Sequence, residues 1–270
     1  MPGVVSRAER STSFGAIADD YDRLRPSPPD AAVDWLLPAH CQLVVDVAAG
    51  TGLLTRVLAG KVPQVVAVEP DSRMRAVLLA RSPDVRVVEG RGEAIPLPDA
   101  SADGVFVSSA WHWMDPELAI PEIGRVLRGG GRFGAIWTGR DRQAGWVREA
   151  DWMRWGRADR DETAASADQG ADQGAPRTWS RRGEIALPDT GLFGNAETAS
   201  FGFVRPMTIS DMIGLLATYS AVITASPDDR AARLAHARAS LEERFPDGGE
   251  IDVPMRAWCW RADRAPRAAP

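Results

Sequence analysis

A short buried strand that runs into a glycine-rich turn and then a helix constrains the fold of this chain more than any other feature. The stretch reads V-V-D-V-A-A-G-T-G over residues 44–52 and continues L-L-T-R-V-L over 53–58. A β-branched apolar run bounded by a turn predicts a fully buried strand. The free N–H groups and the positive dipole end of the next helix would face any ligand that approaches the turn. The stretch therefore predicts a nucleotide-type site.

Strand and helix patterns alternate through the first half of the chain. Such alternation implies right-handed crossovers and a mostly parallel, doubly wound α/β sheet. The helical segment after Pro116 is expected to end at the glycine triplet 129–131. The predicted strands are 43–47, 64–68, 85–88, 104–107, 132–137, 197–204 and 251–261, and the predicted helices are 14–21, 30–37, 53–59, 73–80, 116–127, 145–155, 209–223 and 229–244.

Composition narrows the functional classes. The 270 residues suit one large α/β domain, and the net charge of −5 predicts no general attraction to nucleic acid or to an anionic membrane. No apolar run is long enough for a membrane helix, and the N-terminus lacks the apolar core of a signal peptide. The two cysteines, Cys41 and Cys259, suggest neither a metal site nor a redox pair. A cytoplasmic protein without a metal is expected.

The turn after the first strand differs from a dinucleotide-binding turn. A dinucleotide site would read G-x-G-x-x-G, whereas this turn reads Asp46-x-Ala48-x-Gly50-x-Gly52 with an acid at its head, and no phosphate-cradling Gly-Lys-Ser/Thr follows. Glu69 ends the second predicted strand, 19 residues beyond Gly50. A carboxylate in that place can accept hydrogen bonds from both hydroxyls of a ribose. The pattern favours a nucleoside with an amino acid end and no phosphate.

Six motifs in a fixed order then carry a family resemblance. They are V-V-D-V-A-A-G-T-G (44–52), V-E-P (68–70), G-R-G-E-A-I-P-L-P-D (90–99), D-G-V-F-V-S-S (103–109), W-H-W (111–113) and R-V-L-R-G-G-G (125–131). With an upstream match at Phe14 and at Tyr21-Asp22-x-x-Arg25-Pro26, the chain resembles class I S-adenosylmethionine-dependent methyltransferases of the type 11 small-molecule group. The resemblance covers residues 14–141 well and the rest more loosely.

The resemblance implies a Rossmann-like, doubly wound, seven-stranded and mostly parallel sheet, with the last strand antiparallel and helices on both faces. It implies a single methyltransferase domain over residues 1–270. Residues 1–40 would form N-terminal lid helices and 41–141 the cofactor-binding core. Residues 142–225 would form a substrate-side segment with a flexible stretch near 158–180, and 226–261 the C-terminal helix and last strand.

The resemblance also implies the site residues. Those that would bind S-adenosylmethionine, or S-adenosylhomocysteine as product, divide by the part of the ligand that they contact. The methionine end would contact Asp46, Ala48, Gly50 and Gly52, and the ribose would contact Glu69. The adenine would contact Pro70 or Asp71, together with Gly92 and Glu93. Ser108 would line the methyl-transfer position, and Tyr21 would close over the ligand. Two residues depart from the family pattern. Ala48 replaces a glycine and fits without strain only if its φ is negative, and Arg91 stands where an aspartate often binds the adenine amino group.

His112 is the leading candidate for a general base, because it follows the fourth strand at the edge where such sheets bind ligands. Asp115 and Asp141 are secondary candidates. The partner expected is a small-molecule methyl acceptor, with no nucleic acid and no membrane, and the chain would act as a monomer or homodimer. Two alternatives remain at this stage. One is a protein that binds the cofactor without catalysis, as a sensor or partner subunit, and the other is a nicotinamide-dependent oxidoreductase.

Overall fold

The computed structural model describes residues 15, 17–150, 185–188 and 191–266. These residues build one seven-stranded sheet in the order β3-β2-β1-β4-β5-β7-β6, in which β7 runs antiparallel to both of its neighbours. The strands are β1 Leu43–Val47, β2 Gln64–Val68, β3 Arg86–Val88, β4 Ala102–Ser108, β5 Leu127–Arg140, β6 Glu197–Met207 and β7 Ile251–Asp263. The predicted fold, including the single antiparallel strand, is confirmed.

Helices cover both faces of this sheet because the strands β1 and β4 are apolar on both sides. One face packs under the helices Asp30–Leu36 and Leu53–Ala59, where Leu36 and Leu54 meet Phe106 and Ile136. The other face packs under the helix Pro116–Val126 through Ile120 and Ile123. The α-helices of the described residues are α1 Ala18–Leu24, α2 Asp30–Leu36, α3 Leu53–Ala59, α4 Ser72–Arg81, α5 Pro116–Val126, α6 Ile209–Ala217, α7 Ser220–Ile223 and α8 Pro227–Arg244.

The predicted boundary before the fifth strand was wrong. Helix α5 ends at Val126, and β5 begins at Leu127 and runs through the glycine triplet instead of starting after it. Gly130 has a φ of +78°, and the β4–β5 register shifts between Ala102 and Gly104. A bulge of this kind lets a ladder absorb extra residues without ending the strand. The glycine triplet 129–131 therefore lies within β5, whereas the sequence predicted that it would separate the helix from the strand.

The segment after β5 differs from the prediction in two places. The predicted helix 209–223 divides at Tyr219, whose ψ of 140° interrupts the helical backbone between α6 and α7. Of the predicted helix 145–155, residues Gly145–Arg148 form a 3-10 turn, and positions from 151 lie outside the described residues. The predicted flexible stretch near 158–180 also lies outside them. No helix within the described ranges is long and apolar enough to span a membrane.

Candidate functional site

The parallel strands bring the predicted site residues to one edge of the sheet. Asp46 lies near the end of β1, in register with Ala67 on β2 and Phe106 on β4. Glu69 follows β2 directly, and Ser108 is the last residue of β4. Ligands of such sheets bind at the carboxyl ends of the strands. The edge predicted from sequence is thus assembled from β1, β2 and β4.

The glycine turn after β1 is built from left-handed backbone. Gly50 has a φ of +59° and Gly52 a φ of +88°. A Cβ at Gly52 would lie 2.9 Å from the Leu78 side chain of α4, whereas a Cβ at Gly50 would meet nothing within 4 Å. Gly52 therefore allows helix α4 to pack closely, while Gly50 leaves open space over the turn. Open space at Gly50 is what a ligand that approaches the backbone requires.

Ala48 contradicts the expectation of a negative φ. Its φ is +54°, in the left-handed region that disfavours side chains with a Cβ. Its methyl group packs against the apolar cluster on the α5 face of the sheet. The departure from glycine therefore strains the backbone.

Replacement of Ala48 by glycine is expected to raise the free energy of unfolding by about 0.5–1 kcal/mol. The substitution relieves the strain of the left-handed backbone, and this gain is partly offset because glycine gives the unfolded chain more conformational freedom. The affinity for S-adenosylhomocysteine should stay within about twofold, since the methyl group packs in the core. Ala49→Gly is the matched control, because Ala49 is outside the positive-φ residues and should lose stability. Urea denaturation measures both variants, and equal losses would contradict the assignment of strain to Ala48.

Glu69 holds the glycine turn against the end of β2. Its Oε2 accepts a hydrogen bond from the Gly50 N–H at 2.8 Å, and its Oε1 accepts one from the Asp71 N–H at 2.8 Å. Only 6% of the residue is exposed. Burial raises the pKa of the carboxyl group, and the two backbone N–H groups partly oppose that rise. The predicted ribose ligand thus has a second role, positioning the turn, that the sequence pattern did not reveal.

Asp46 lies beneath the turn as a fully buried carboxyl group. Its Oδ2 accepts a hydrogen bond from the Thr55 hydroxyl at 2.6 Å, and its Oδ1 has no hydrogen-bond partner among the described residues. Burial, the largest effect, raises its pKa to about 7, while the Thr55 hydroxyl lowers the pKa and the nearby Glu69 charge raises it. An unsatisfied carboxylate oxygen under an open turn suits a ligand that brings a positive charge.

Helix α1 lies against this turn through an arginine that the sequence reasoning missed. Arg56 donates to the Thr51 carbonyl at 2.9 Å and pairs with Asp22 of α1 at 2.6 Å. Tyr21, the predicted lid residue, is the neighbour of Asp22 and is half-buried. Arg56 lies in the last turn of α3, where a cation is favourable on dipole grounds, so its position in the helix gave no sign of a contact with α1.

The residues predicted to contact the adenine occupy two neighbouring turns. Pro70 is exposed, and Asp71 caps α4 by accepting from the Arg73 N–H at 2.8 Å. Gly92 is buried so closely that a Cβ would lie 2.5 Å from the Met114 sulfur. Glu93 Oε1 accepts from the Asp115 N–H at 2.8 Å, so one of its two carboxylate oxygens is used within the protein. The resemblance implies that this second turn contacts the adenine largely through its backbone.

The candidate bases have different surroundings. His112 is half-buried on the 3-10 turn Trp111–Trp113 after β4, with its ring centroid 4.5 Å from that of Trp113. Asp115 accepts from the Glu117 N–H and caps α5. Burial opposes ionisation of Asp141, but hydrogen bonds from Arg256 and the Gln143 N–H outweigh it and hold its pKa below the usual range. The two aspartates make structural contacts, and His112 follows β4 at the carboxyl edge of the sheet, where the sequence placed the leading candidate.

The sequence of this chain is similar to those of known methyltransferases. The model of a methyltransferase domain matches residues 45–135. An uncharacterised methyltransferase-like protein of Schizosaccharomyces pombe is 30% identical over 213 residues, which cover 77% of each chain. The chain belongs to the class I S-adenosylmethionine-dependent methyltransferase family. An uncharacterised methyltransferase of Mycobacterium tuberculosis is 51% identical to it over 144 residues, 53% of this chain and 59% of that one.

Solved structures show the same methyltransferase fold. A candidate type II methyltransferase from Anaeromyxobacter dehalogenans superposes with a TM-score of 0.61 at 25% identity, covering 90% of this chain and 99% of that one. A phosphoethanolamine N-methyltransferase of Haemonchus contortus superposes with a TM-score of 0.52 at 18% identity, covering 99% of this chain and 62% of that one. That structure was solved with phosphomonomethylethanolamine and S-adenosylhomocysteine. The chain spans 59% of the length of the mycobacterial relatives that it matches.

Proposed function

We propose that this methyltransferase binds S-adenosylmethionine and transfers its methyl group to a small-molecule acceptor by in-line displacement. The observation that carries the proposal is the open glycine turn held between two buried carboxyl groups. Asp46 lies beneath the turn with a free oxygen among the described residues, and Glu69 accepts from the Gly50 N–H. An amino acid end and a ribose fit these two acids and this unobstructed backbone better than a phosphate does.

Each predicted residue has a role in this proposal. Asp46 attracts the ammonium of the methionine end, and Ala48, Gly50 and Gly52 let that end approach the backbone. Glu69 accepts from the ribose, and Pro70, Gly92 and Glu93 border the adenine. Tyr21 covers the ligand from α1, and Ser108 lines the position of transfer. S-adenosylmethionine, when bound, supplies a methyl group on a positively charged sulfur, so the protein's own contribution is alignment and removal of a proton.

The proposal is tested by calorimetric titration with S-adenosylhomocysteine. We expect a dissociation constant in the micromolar range, on the order of −8 kcal/mol. An absence of binding at high micromolar ligand would overturn the proposal. Transfer is then followed as S-adenosylhomocysteine release from S-adenosylmethionine in the presence of hydroxyl, amine and carbon-acid acceptors.

A proton-accepting role for His112 leads to a separate prediction. His112→Gln is expected to lower kcat on the order of 10²-fold for a hydroxyl or ammonium acceptor and to flatten the pH–rate profile, since neither acceptor reacts before losing a proton. The affinity for S-adenosylhomocysteine should not change. His236→Gln on the exposed side of α8 is the matched control. An unchanged kcat in the His112 variant would assign that ring a purely structural role.

A second candidate function is cofactor binding without catalysis. It is favoured by the strained backbone at Ala48 and by Arg91, whose side chain is exposed on a tight turn bridged to Ala94. An arginine cannot accept the hydrogen bond that the resemblance assigns to an acid at this place. Binding of S-adenosylmethionine with no turnover across a broad acceptor panel would support this candidate over the enzyme.

A further inference from the structure

A row of polar side chains continues from the cofactor edge along β5. Ser108 is in register with Ile136, and residues two apart on a strand share a face of the sheet. Because the β5–β7 register runs without a break from Arg132 to Arg140, Thr138 and Arg140 lie on the same face as Ile136. This is also the face of Asp46 and Phe106, the face beneath α2 and α3.

Two members of this row lack the partners that buried polar groups normally have. The Thr138 hydroxyl is buried and has no hydrogen-bond partner within the described part of the chain. Arg140 is 8% exposed, and no carboxylate of the described residues pairs with it. Buried charges in proteins are normally paired, and buried hydroxyls are normally hydrogen-bonded. Among the described residues, then, a guanidinium without a carboxylate and a hydroxyl without a hydrogen bond lie on one face, and they point to a ligand that binds both.

A second arginine adds to the positive charge at this place. The guanidinium carbon of Arg140 lies 5.4 Å from the centroid of the Tyr219 ring, and that of Arg25 lies 4.4 Å from the same centroid. Arg25 donates its Nε and Nη2 to Thr218, at 2.9 Å each. Two like charges contact one aromatic ring, and within the described ranges neither guanidinium pairs with a carboxylate. This arrangement is favourable when an anion lies between or beside the two groups.

The groove beside Arg25 carries more positive than negative charge. Arg25 lines an open groove of about 350 Å³ between α1, the start of α3 and β6. The groove is lined by Arg23, Arg56 and Arg205 in addition to Arg25, and by the carboxylate of Asp22. Arg56 pairs with Asp22, and Arg23 pairs with Asp20 and Asp211, so the excess positive charge comes from Arg25 and Arg205. A cleft with an excess of one sign of charge raises the local concentration of the opposite ion. An anionic molecule would be drawn to this end of the sheet.

We propose that Arg140, with Thr138 and Arg25, binds an anionic group, a carboxylate or a phosphate, of the methyl acceptor. The proposal rests on the proposed function for its link to methyl transfer. Arg140 lies four residues beyond Ile136, so its backbone is about 13 Å past the level of Ser108. The anion bound there would therefore anchor a part of the acceptor remote from the reacting atom. Acceptors of this methyltransferase would carry a negative charge in addition to their nucleophile.

The test uses the full-length protein with and without saturating S-adenosylhomocysteine. Succinate, its neutral diamide succinamide and inorganic phosphate are titrated at constant ionic strength, and binding is read from calorimetry and from the shift in Tm. We expect succinate or phosphate to bind with millimolar affinity and succinamide not to bind. The succinate and phosphate arms distinguish a carboxylate from a phosphate as the group recognised.

Variants assign the binding to the proposed residues. Arg140→Met should weaken anion binding at least about tenfold, and Thr138→Val about threefold, with S-adenosylhomocysteine affinity unchanged. Arg140→Lys should restore only part of the loss, because an ammonium lacks the planar two-donor edge of a guanidinium. Arg86→Met, on exposed β3, is the matched control. If Arg140→Met fails to fold, the anion affinities of Thr138→Val and Arg140→Lys are compared with that of the unaltered protein instead.

The outcomes separate this proposal from the proposed function. Removal of an uncompensated buried charge should leave the Tm of the ligand-free Arg140→Met protein unchanged or higher, whereas a structural role for the contact with Tyr219 would lower it. The proposal is overturned if neither anion binds at about 50 mM, or if both bind Arg140→Met as they bind the unaltered protein. Failure of S-adenosylhomocysteine to bind would instead remove the proposed function and leave the anion titration as a separate result.

Discussion

Glu69→Ala is expected to weaken the binding of S-adenosylhomocysteine by about 3 kcal/mol, roughly 150-fold. The side chain does two things at once in the proposed complex. It accepts the ribose hydroxyls, and it holds the Gly50 N–H and the Asp71 N–H at 2.8 Å each, so its loss releases the turn as well as the ligand. Hydrogen bonds to a charged, buried acceptor are among the stronger ones in proteins. Isothermal titration calorimetry measures the change.

Two further variants make the Glu69 result interpretable. Glu89→Ala removes a carboxylate that follows β3 as Glu69 follows β2, but Glu89 is exposed and pairs with Arg75, so the affinity should not change. Glu69→Gln keeps the volume and one acceptor oxygen, and it should give an intermediate loss. Thermal melts establish that each variant is folded. A Glu69→Ala affinity within about threefold of the unaltered protein would remove Glu69 from the binding site.

The cofactor edge was predictable because its residues follow from local pattern and strand order. A β-branched run ending in Asp46 predicts a buried strand, and the next such run places Glu69 at the adjacent strand end. Parallel strands in a right-handed crossover then bring the two acids together without any knowledge of side-chain contacts. The strands β1 and β2 lie where the pattern predicted them, over Leu43–Val47 and Gln64–Val68.

The parts that sequence did not predict depend on contacts between distant segments. The positive φ of Ala48 is imposed by the turn between β1 and α3 and has no sequence signature in an alanine. The bond from Thr55 to Asp46 and the pairing of Arg56 with Asp22 join segments whose proximity appears only in the fold. Arg140 is similar, because its burial depends on Tyr219, which lies between α6 and α7, 79 residues further along the chain.

Asp46→Asn is expected to change the pH dependence of stability more than any other single substitution in the site. The pKa of Asp46 is raised to about 7 from 3.8, because burial favours its neutral form. A raised pKa means that the folded state holds the proton more tightly than the unfolded state does. The stabilisation from protonated Asp46 is therefore complete below about pH 4 and is lost as the pH rises through about 7. Its full size is on the order of 4 kcal/mol.

The measurement is a set of urea denaturation curves from pH 5 to pH 8.5 on the ligand-free protein. Asparagine cannot ionise, so the unaltered protein should lose up to about 3 kcal/mol relative to Asp46→Asn as the pH rises from 5 to above 7. Any constant offset from the amide's buried N–H groups does not affect this difference. Asp84→Asn, at an exposed position, serves as the control. A difference between the two proteins that is the same at every pH would show that Asp46 stays ionised.

Ligand binding should then reverse the same titration. The ammonium of the methionine end favours the ionised form of Asp46, so binding would expel the proton that the ligand-free protein holds below pH 7. The affinity for S-adenosylhomocysteine should consequently rise by up to about tenfold for each pH unit between about 5 and 7 and level off above that. Asp46→Asn should bind more weakly and without this slope. A slope that persists in the variant would assign the linked proton to another group and leave Asp46 as a support of the turn through Thr55.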